Sequence, residues 1–144
     1  MLKFLSILGL IVMVAGLVGL LKIGVLFSPQ PVTIVLQVLA LALLVWARIT
    51  FGRRSFHAAA NPTEGGLVTS GPYHYIRHPI YTAACLFCWA SIITHLSLIS
   101  VAFGLMVFLG SITRMLTEER LVQERYPQYL EYSKKTKRML PGVF

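Results

Sequence analysis

Four apolar stretches, separated by short polar breaks, make up most of this chain. Residues 4–27 are nearly continuous apolar sequence. A bilayer core of about 30 Å takes about 20 helical residues to cross, so this stretch predicts a first membrane span. "SPQP" at 28–31 predicts a tight turn. Residues 32–49 predict a second span closed by Trp46 and Arg48, residue types that anchor a helix at the interface. Residues 79–113 are apolar again, interrupted by "THLS" at 94–97, and predict a hairpin with spans over 79–94 and 98–114. The first arm is short for a span, so its start near Pro79 is expected to project from the headgroup level. Proline suits that first turn, because its missing N–H costs nothing there. No proline interrupts Leu98–Arg125. The second arm is therefore expected to continue out of the membrane until Pro127 ends it.

The pattern is that of an all-α integral membrane protein, one domain over 1–144. It has four transmembrane helices, the last two a hairpin. A polar loop over 50–78 is rich in turn formers. The tail over 115–144 alternates aromatic and basic residues towards its end. It predicts a short helix on the membrane surface, with Lys134, Lys135, Lys137 and Arg138 facing lipid headgroups. Gly9, Gly16 and Gly19 in the first span offer close approach to another helix. That leaves a homo-oligomer open.

Composition agrees. The chain is 56% hydrophobic and only 12% charged, against a usual charged share of about 25%, and mean hydropathy is +0.74. A soluble domain of this size has no interior for so much apolar surface. The net charge of +8 does not point to nucleic acid, because the basic residues flank the spans and no polar domain carries them. They point to topology instead. With both termini and the 50–78 loop on one side, that side holds all but Lys22 of the 13 lysines and arginines. Such a bias predicts a cytoplasmic location for both termini, the loop and the tail. Cys85 and Cys88 lie inside an apolar stretch and no second Cys or His cluster completes a zinc site, so no metal is expected. No G-x-G-x-x-G follows a strand, and Gly65–Gly66 reads as a turn.

Two polar clusters fall on the same side. Tyr73, Tyr75, Arg77, His78, Pro79 and Tyr81 surround the start of the third span, and Arg114, Glu118 and Glu119 the end of the fourth. In a helical hairpin the start of one arm lies beside the end of the other, so the clusters are expected to meet. The helix start favours an anionic group, Arg77 adds to it, and the glutamates supply the opposite charge. Such a site suits a zwitterion. His57 and His74 read as loop residues, and His95 as an interfacial polar group at the far turn.

The stretch "LVTSGPYHYIRHPIYTAA" resembles the R-H-P-x-Y element of the isoprenylcysteine carboxyl methyltransferase family, which shares a superfamily with the phospholipid methyltransferases. "RMLTEERLVQERYPQYLEYSKKTKRMLPGVF" is similar to that family's E-E-x-x-L element and its basic, proline-ended tail. The likeness covers about residues 65–144. Ala83 stands where the family often has glycine.

The resemblance implies S-adenosyl-L-methionine as methyl donor, bound on the cytoplasmic side between hairpin and tail. It places Tyr73, Arg77, His78, Tyr81, Glu118 and Glu119 on donor-binding elements, and Arg114 with Glu119 as the catalytic pair. It implies a lipophilic or prenylated acceptor reached through the bilayer, most like an isoprenylcysteine carboxylate. A phospholipid or a lipophilic amine or thiol is the alternative. A nicotinamide-dependent membrane reductase and a non-catalytic membrane subunit are further alternatives. The reductase would need more basic residues in the loop.

Overall fold

The computed structural model describes residues 1–52 and 66–144. Arg53, Arg54, His57, Gly65 and much of the expected 50–78 loop lie outside the described residues. The described residues form five helices, α1 (Leu2–Lys22), α2 (Pro31–Phe51), α3 (Pro79–Thr94), α4 (Leu98–Arg125) and α5 (Tyr129–Lys135), with a short 3-10 turn at Gly71–His74 before α3.

Local chemistry sets most boundaries. The span expected over 4–27 stops as a helix at Lys22. Gly24 turns the chain with φ +70°, and the N–H groups of Val25 and Leu26 fold back onto the Leu20 carbonyl. Pro31 and Pro79 open α2 and α3 from their first helical positions. Ser97 caps α4 in a reciprocal box with Ser100. From there α4 runs unbroken to Arg125, two residues before Pro127.

Three helices, α1, α2 and α4, are long and apolar enough to cross a bilayer. The fourth expected span, α3, is apolar but has 16 residues, about 24 Å at 1.5 Å per residue. It falls short of a full hydrocarbon core. The protein is a multi-pass integral membrane protein by these helices.

The helices follow one another in space as α2, α3, α4, α1, since α2 packs on α3, α3 on α4 and α4 on α1. The α1–α4 contact is the most extensive, and small residues make it. A Cβ on Gly16 would lie 2.7 Å from the Phe103 carbonyl oxygen, and one on Gly110 would lie 2.6 Å from that of Gly9. No side chain fits where two backbones come this close. The glycines of the first span are thus used within the chain. Buried Gln37 joins α2 to α3, its amide donating to the Leu26 carbonyl (2.8 Å) and to Ser91 Oγ (2.8 Å). It also ties the α1–α2 linker to the bundle.

Part of the tail forms the expected short helix. Only Tyr129–Lys135 is helical. Beyond it, Ile76 and Lys137 form a parallel bridge, and the N–H groups of Arg77 and His78 donate to the carbonyls of Lys137 (2.8 Å) and Arg138 (2.9 Å). The chain before α3 and the end of the tail therefore lie side by side. Arg138, expected to face headgroups, turns inward instead.

Candidate active site at the α3 start and the α4 end

The α3–α4 hairpin brings the two polar clusters together. They meet as two adjacent groups, one around each glutamate.

The first centres on Glu119. Its Oε1 accepts from Arg77 Nε (3.0 Å) and lies 3.0 Å from His78 Nε2, and its Oε2 accepts from Arg138 Nε (3.1 Å). Burial by itself pushes this carboxyl up. The hydrogen bond and charge of His78, with the charges of Arg77 and Arg138, outweigh it and hold the group at about 2. Two guanidiniums on one carboxylate leave an excess of positive charge. Arg77 reaches further, donating to the carbonyls of Ser133 (2.6 Å) and Thr136 (2.7 Å). It is a clamp between α4 and the tail as well as a charge.

The second group centres on Glu118. Its Oε1 accepts from the Tyr81 hydroxyl (2.6 Å) and from Arg114 Nη2 (3.1 Å), and Arg114 Nε donates to Tyr81 Oη (2.7 Å). Arg114 Nη1 also donates to the Ser6 carbonyl of α1 (3.3 Å), so three helices share this guanidinium. The Arg114 side chain is 7% exposed and that of Glu118 25%.

Tyr73 stands apart from both. Its ring tilts against Phe51 at 5.4 Å, and its carbonyl accepts from the Tyr132 hydroxyl. Burial raises its phenol above the ordinary range, so it is a neutral wall at physiological pH. Tyr75 is exposed.

Arg114 and Glu119, paired from the resemblance, belong to different groups. Five residues turn a helix by about 140°, so they leave α4 on different faces. Glu118, four residues on, is the partner Arg114 takes. Sequence reasoning missed four contributors: Arg138 and the carbonyls of Ser133, Thr136 and Ser6. Carbonyl acceptors carry no side-chain signature. Arg138 sits in a basic run that reads equally well as a solvated face.

An open cavity of about 670 Å³ lies nearby, between the chain at 67–74 and the outer side of α5, lined by Thr69, His74, Glu131, Tyr132, Lys135 and Thr136 among others. None of the site residues expected from the sequence lines it. The residues that suit a zwitterion in charge are those around Glu118 and Glu119.

A family model for phospholipid methyltransferases matches residues 30–129. The chain belongs to that family. No curated protein and no solved structure matches it. The match takes in α2, α3 and α4, with every residue from Tyr73 to Glu119. Phospholipid methyltransferases use S-adenosyl-L-methionine and methylate a membrane lipid acceptor. The chain is thus a membrane methyltransferase by family. The match favours the phospholipid alternative over the isoprenylcysteine acceptor that the sequence resemblance put first. The donor is a zwitterion, with a carboxylate, an ammonium and a sulfonium. The residues here fit it in charge, with excess positive charge at Glu119 and an accessible carboxylate at Glu118.

Proposed function

We propose that this protein transfers a methyl group to the amine of a membrane phospholipid. The observation that carries the acceptor class is the state of Arg114. A carboxylate acceptor needs a cation to position it. The Arg114 guanidinium is buried and engaged by Tyr81, Glu118 and Ser6, so it offers that carboxylate little. An amine acceptor needs an anionic neighbour, and Glu118 is the more accessible carboxylate of the two.

The donor, when bound, supplies an electrophilic methyl group on a sulfonium. Arg77, His78 and Arg138, with net positive charge around Glu119, favour its carboxylate end. Tyr81 offers an aromatic face to a cation. Methyl transfer is an in-line displacement that rests mainly on positioning and exclusion of water. The α3 start, the α4 end and the docked tail supply rigid walls for both. The acceptor nitrogen must be uncharged to attack, so a carboxylate beside it aids loss of its proton.

We place the site and both termini on the cytoplasmic face, from the distribution of basic residues. Reporter fusions to the termini and to the 28–31 turn test this. Signal at the turn from a reporter active only in the cytoplasm overturns it.

Radiolabelled methyl transfer into phosphatidylethanolamine, compared with a farnesylcysteine analogue, tests the acceptor. Base-stable label in the lipid is the expected result. Base-labile label in the farnesylcysteine analogue alone returns the reading to a carboxyl methyltransferase. Calorimetric titration with S-adenosylhomocysteine tests the donor, and no binding at millimolar ligand overturns the methyltransferase reading.

A further inference from the structure

Trp46 and Arg48 close the second span and read alike from the sequence, as interfacial anchors. The structure separates them. Thr33, Gln37, Ala40 and Ala47 form the buried stripe of α2. Thr33 and Gln37 bond to Ala90 and Ser91 from it, so the stripe faces α3. Trp46 and Ile49 are exposed on the side open to lipid. Arg48 is half-buried, beside Ala47 on the inner edge of α2. It stands three residues before Phe51, so the two share a face, and the Phe51 ring lies against Tyr73 at 5.4 Å. This end of α2 meets the 71–74 turn so closely that a Cβ on Gly71 would lie 2.6 Å from Thr50 Oγ1. An anchor works as well on the lipid side, where Trp46 stands. The inner edge adds nothing to that role.

The Tyr73 phenol feels two charges of opposite sign, the Arg48 guanidinium on α2 and the Glu118 carboxylate on α4. A cation and an anion thus lie within electrostatic reach of one neutral ring. Arg48 is in the last turn of an apolar span, which puts it at the depth of the lipid headgroups. An amine phospholipid carries a matching pair there, a phosphate and an ammonium joined by a short link. The carboxylate of the donor is served elsewhere, where Arg77 and Arg138 converge on Glu119.

We infer that Arg48 is a specificity-determining residue that binds the phosphodiester of the acceptor lipid at the inner edge of α2. The inference rests on the phospholipid-amine reading and deepens it. A guanidinium presents a planar fork that matches two phosphate oxygens at once. Its half-buried place limits the screening that weakens a fully exposed pair. Binding the phosphate selects a phospholipid amine over an amine that carries only an apolar chain. Soluble phosphoethanolamine offers the same two charges without the chains. The position of Arg48 at the end of a membrane span favours the lipid.

The test compares the full-length wild-type protein with Arg48→Gln and Arg48→Lys in detergent. KM and kcat are read for methylation of dihexanoylphosphatidylethanolamine and of 2-decyloxyethylamine, which keeps an amine and a chain and lacks the phosphate. Affinity for S-adenosylhomocysteine is read by calorimetry. Arg48→Gln is expected to raise KM for the phospholipid by about tenfold or more, with kcat changed less than about threefold. KM for the phosphate-free amine and affinity for the donor product are expected to stay within about twofold of wild type. Arg48→Lys keeps the charge and loses the fork, so it recovers part of the phospholipid KM. It is the variant read if the glutamine form does not fold.

An equal rise in KM for both amines overturns the inference, since Arg48 then acts without reading the phosphate. So does a variant of wild-type Tm that has lost about tenfold in donor-product affinity. Phosphoethanolamine methylated with a KM no higher than that of the phospholipid overturns the lipid as the occupant. A wild-type protein that binds the donor product but methylates neither amine overturns the acceptor reading and this inference together. Normal wild-type methylation of the phospholipid, with its KM unchanged in both variants, overturns this inference alone.

Discussion

Arg77 and Glu119 are 42 positions apart in the sequence, and the Arg77 Nε donates to Glu119 Oε1 at 3.0 Å. The same guanidinium holds the carbonyls of Ser133 and Thr136. One side chain thus fastens the start of α3 to the end of α4 and to the tail.

Removing Glu119 leaves a buried guanidinium without its carboxylate. Loss of one partner of such a pair costs about 3–5 kcal/mol. Glu119→Ala is expected to lower Tm strongly in a thermal melt in detergent, and Arg77→Lys to lower it less. The lysine keeps charge but loses the planar fork that serves Glu119 and two carbonyls together. Equal melting of Glu119→Ala and wild type would remove the clamp from the account.

The depressed Glu119 carboxyl makes stability depend on pH. It sits at about 2 in the folded protein against an ordinary value of 4.5. A lowered folded-state value contributes stability that is fully present above about 4.5 and is lost as pH falls towards 2. The contribution is on the order of 3 kcal/mol. The difference in Tm between wild type and Glu119→Gln is expected to be constant from pH 7 to about 5 and to shrink between pH 4.5 and 3. A difference that grows on acidification contradicts the assignment.

The α1–α4 contact has no room at Gly16. A Cβ there meets the Phe103 carbonyl at 2.7 Å and Val107 Cγ2 at 2.9 Å. Gly16→Val is expected to cost about 1–3 kcal/mol or more and to lower the yield of folded protein on size-exclusion chromatography. Ala15→Val, one residue away on the exposed side of α1, is the control and is expected to behave as wild type.

Much of this architecture was legible from the chain. Pro79, "THLS" and Pro127 mark the hairpin and its overrun, and α3 and α4 start and stop where those residues place them. Proline and capping serine act through local backbone chemistry, which sequence displays directly. The meeting of Arg77 and His78 with Glu119, and of Tyr81 with Glu118, followed from hairpin geometry. The partition between the glutamates did not, because i, i+4 and i, i+5 differ by a rotation whose consequence depends on neighbouring helices. The end of the first span was also misplaced. Apolar composition continues through Phe27, while Gly24 ends the helix by backbone conformation. Arg138 escaped because a single parallel bridge between Ile76 and Lys137 leaves no periodic trace.

A single helix, α4, carries both the glycine contact with α1 and the two site carboxylates. From Gly104 to Glu119 it rises about 22 Å without interruption. It therefore acts as a rigid lever with its fulcrum in the bilayer. A tilt of about 10°, of the kind a change in membrane thickness imposes, swings its charged end by roughly 4 Å. That displacement exceeds a hydrogen-bond length. The contacts of Arg77 and Arg138 with Glu119 are what hold the charged end of that lever against such a swing.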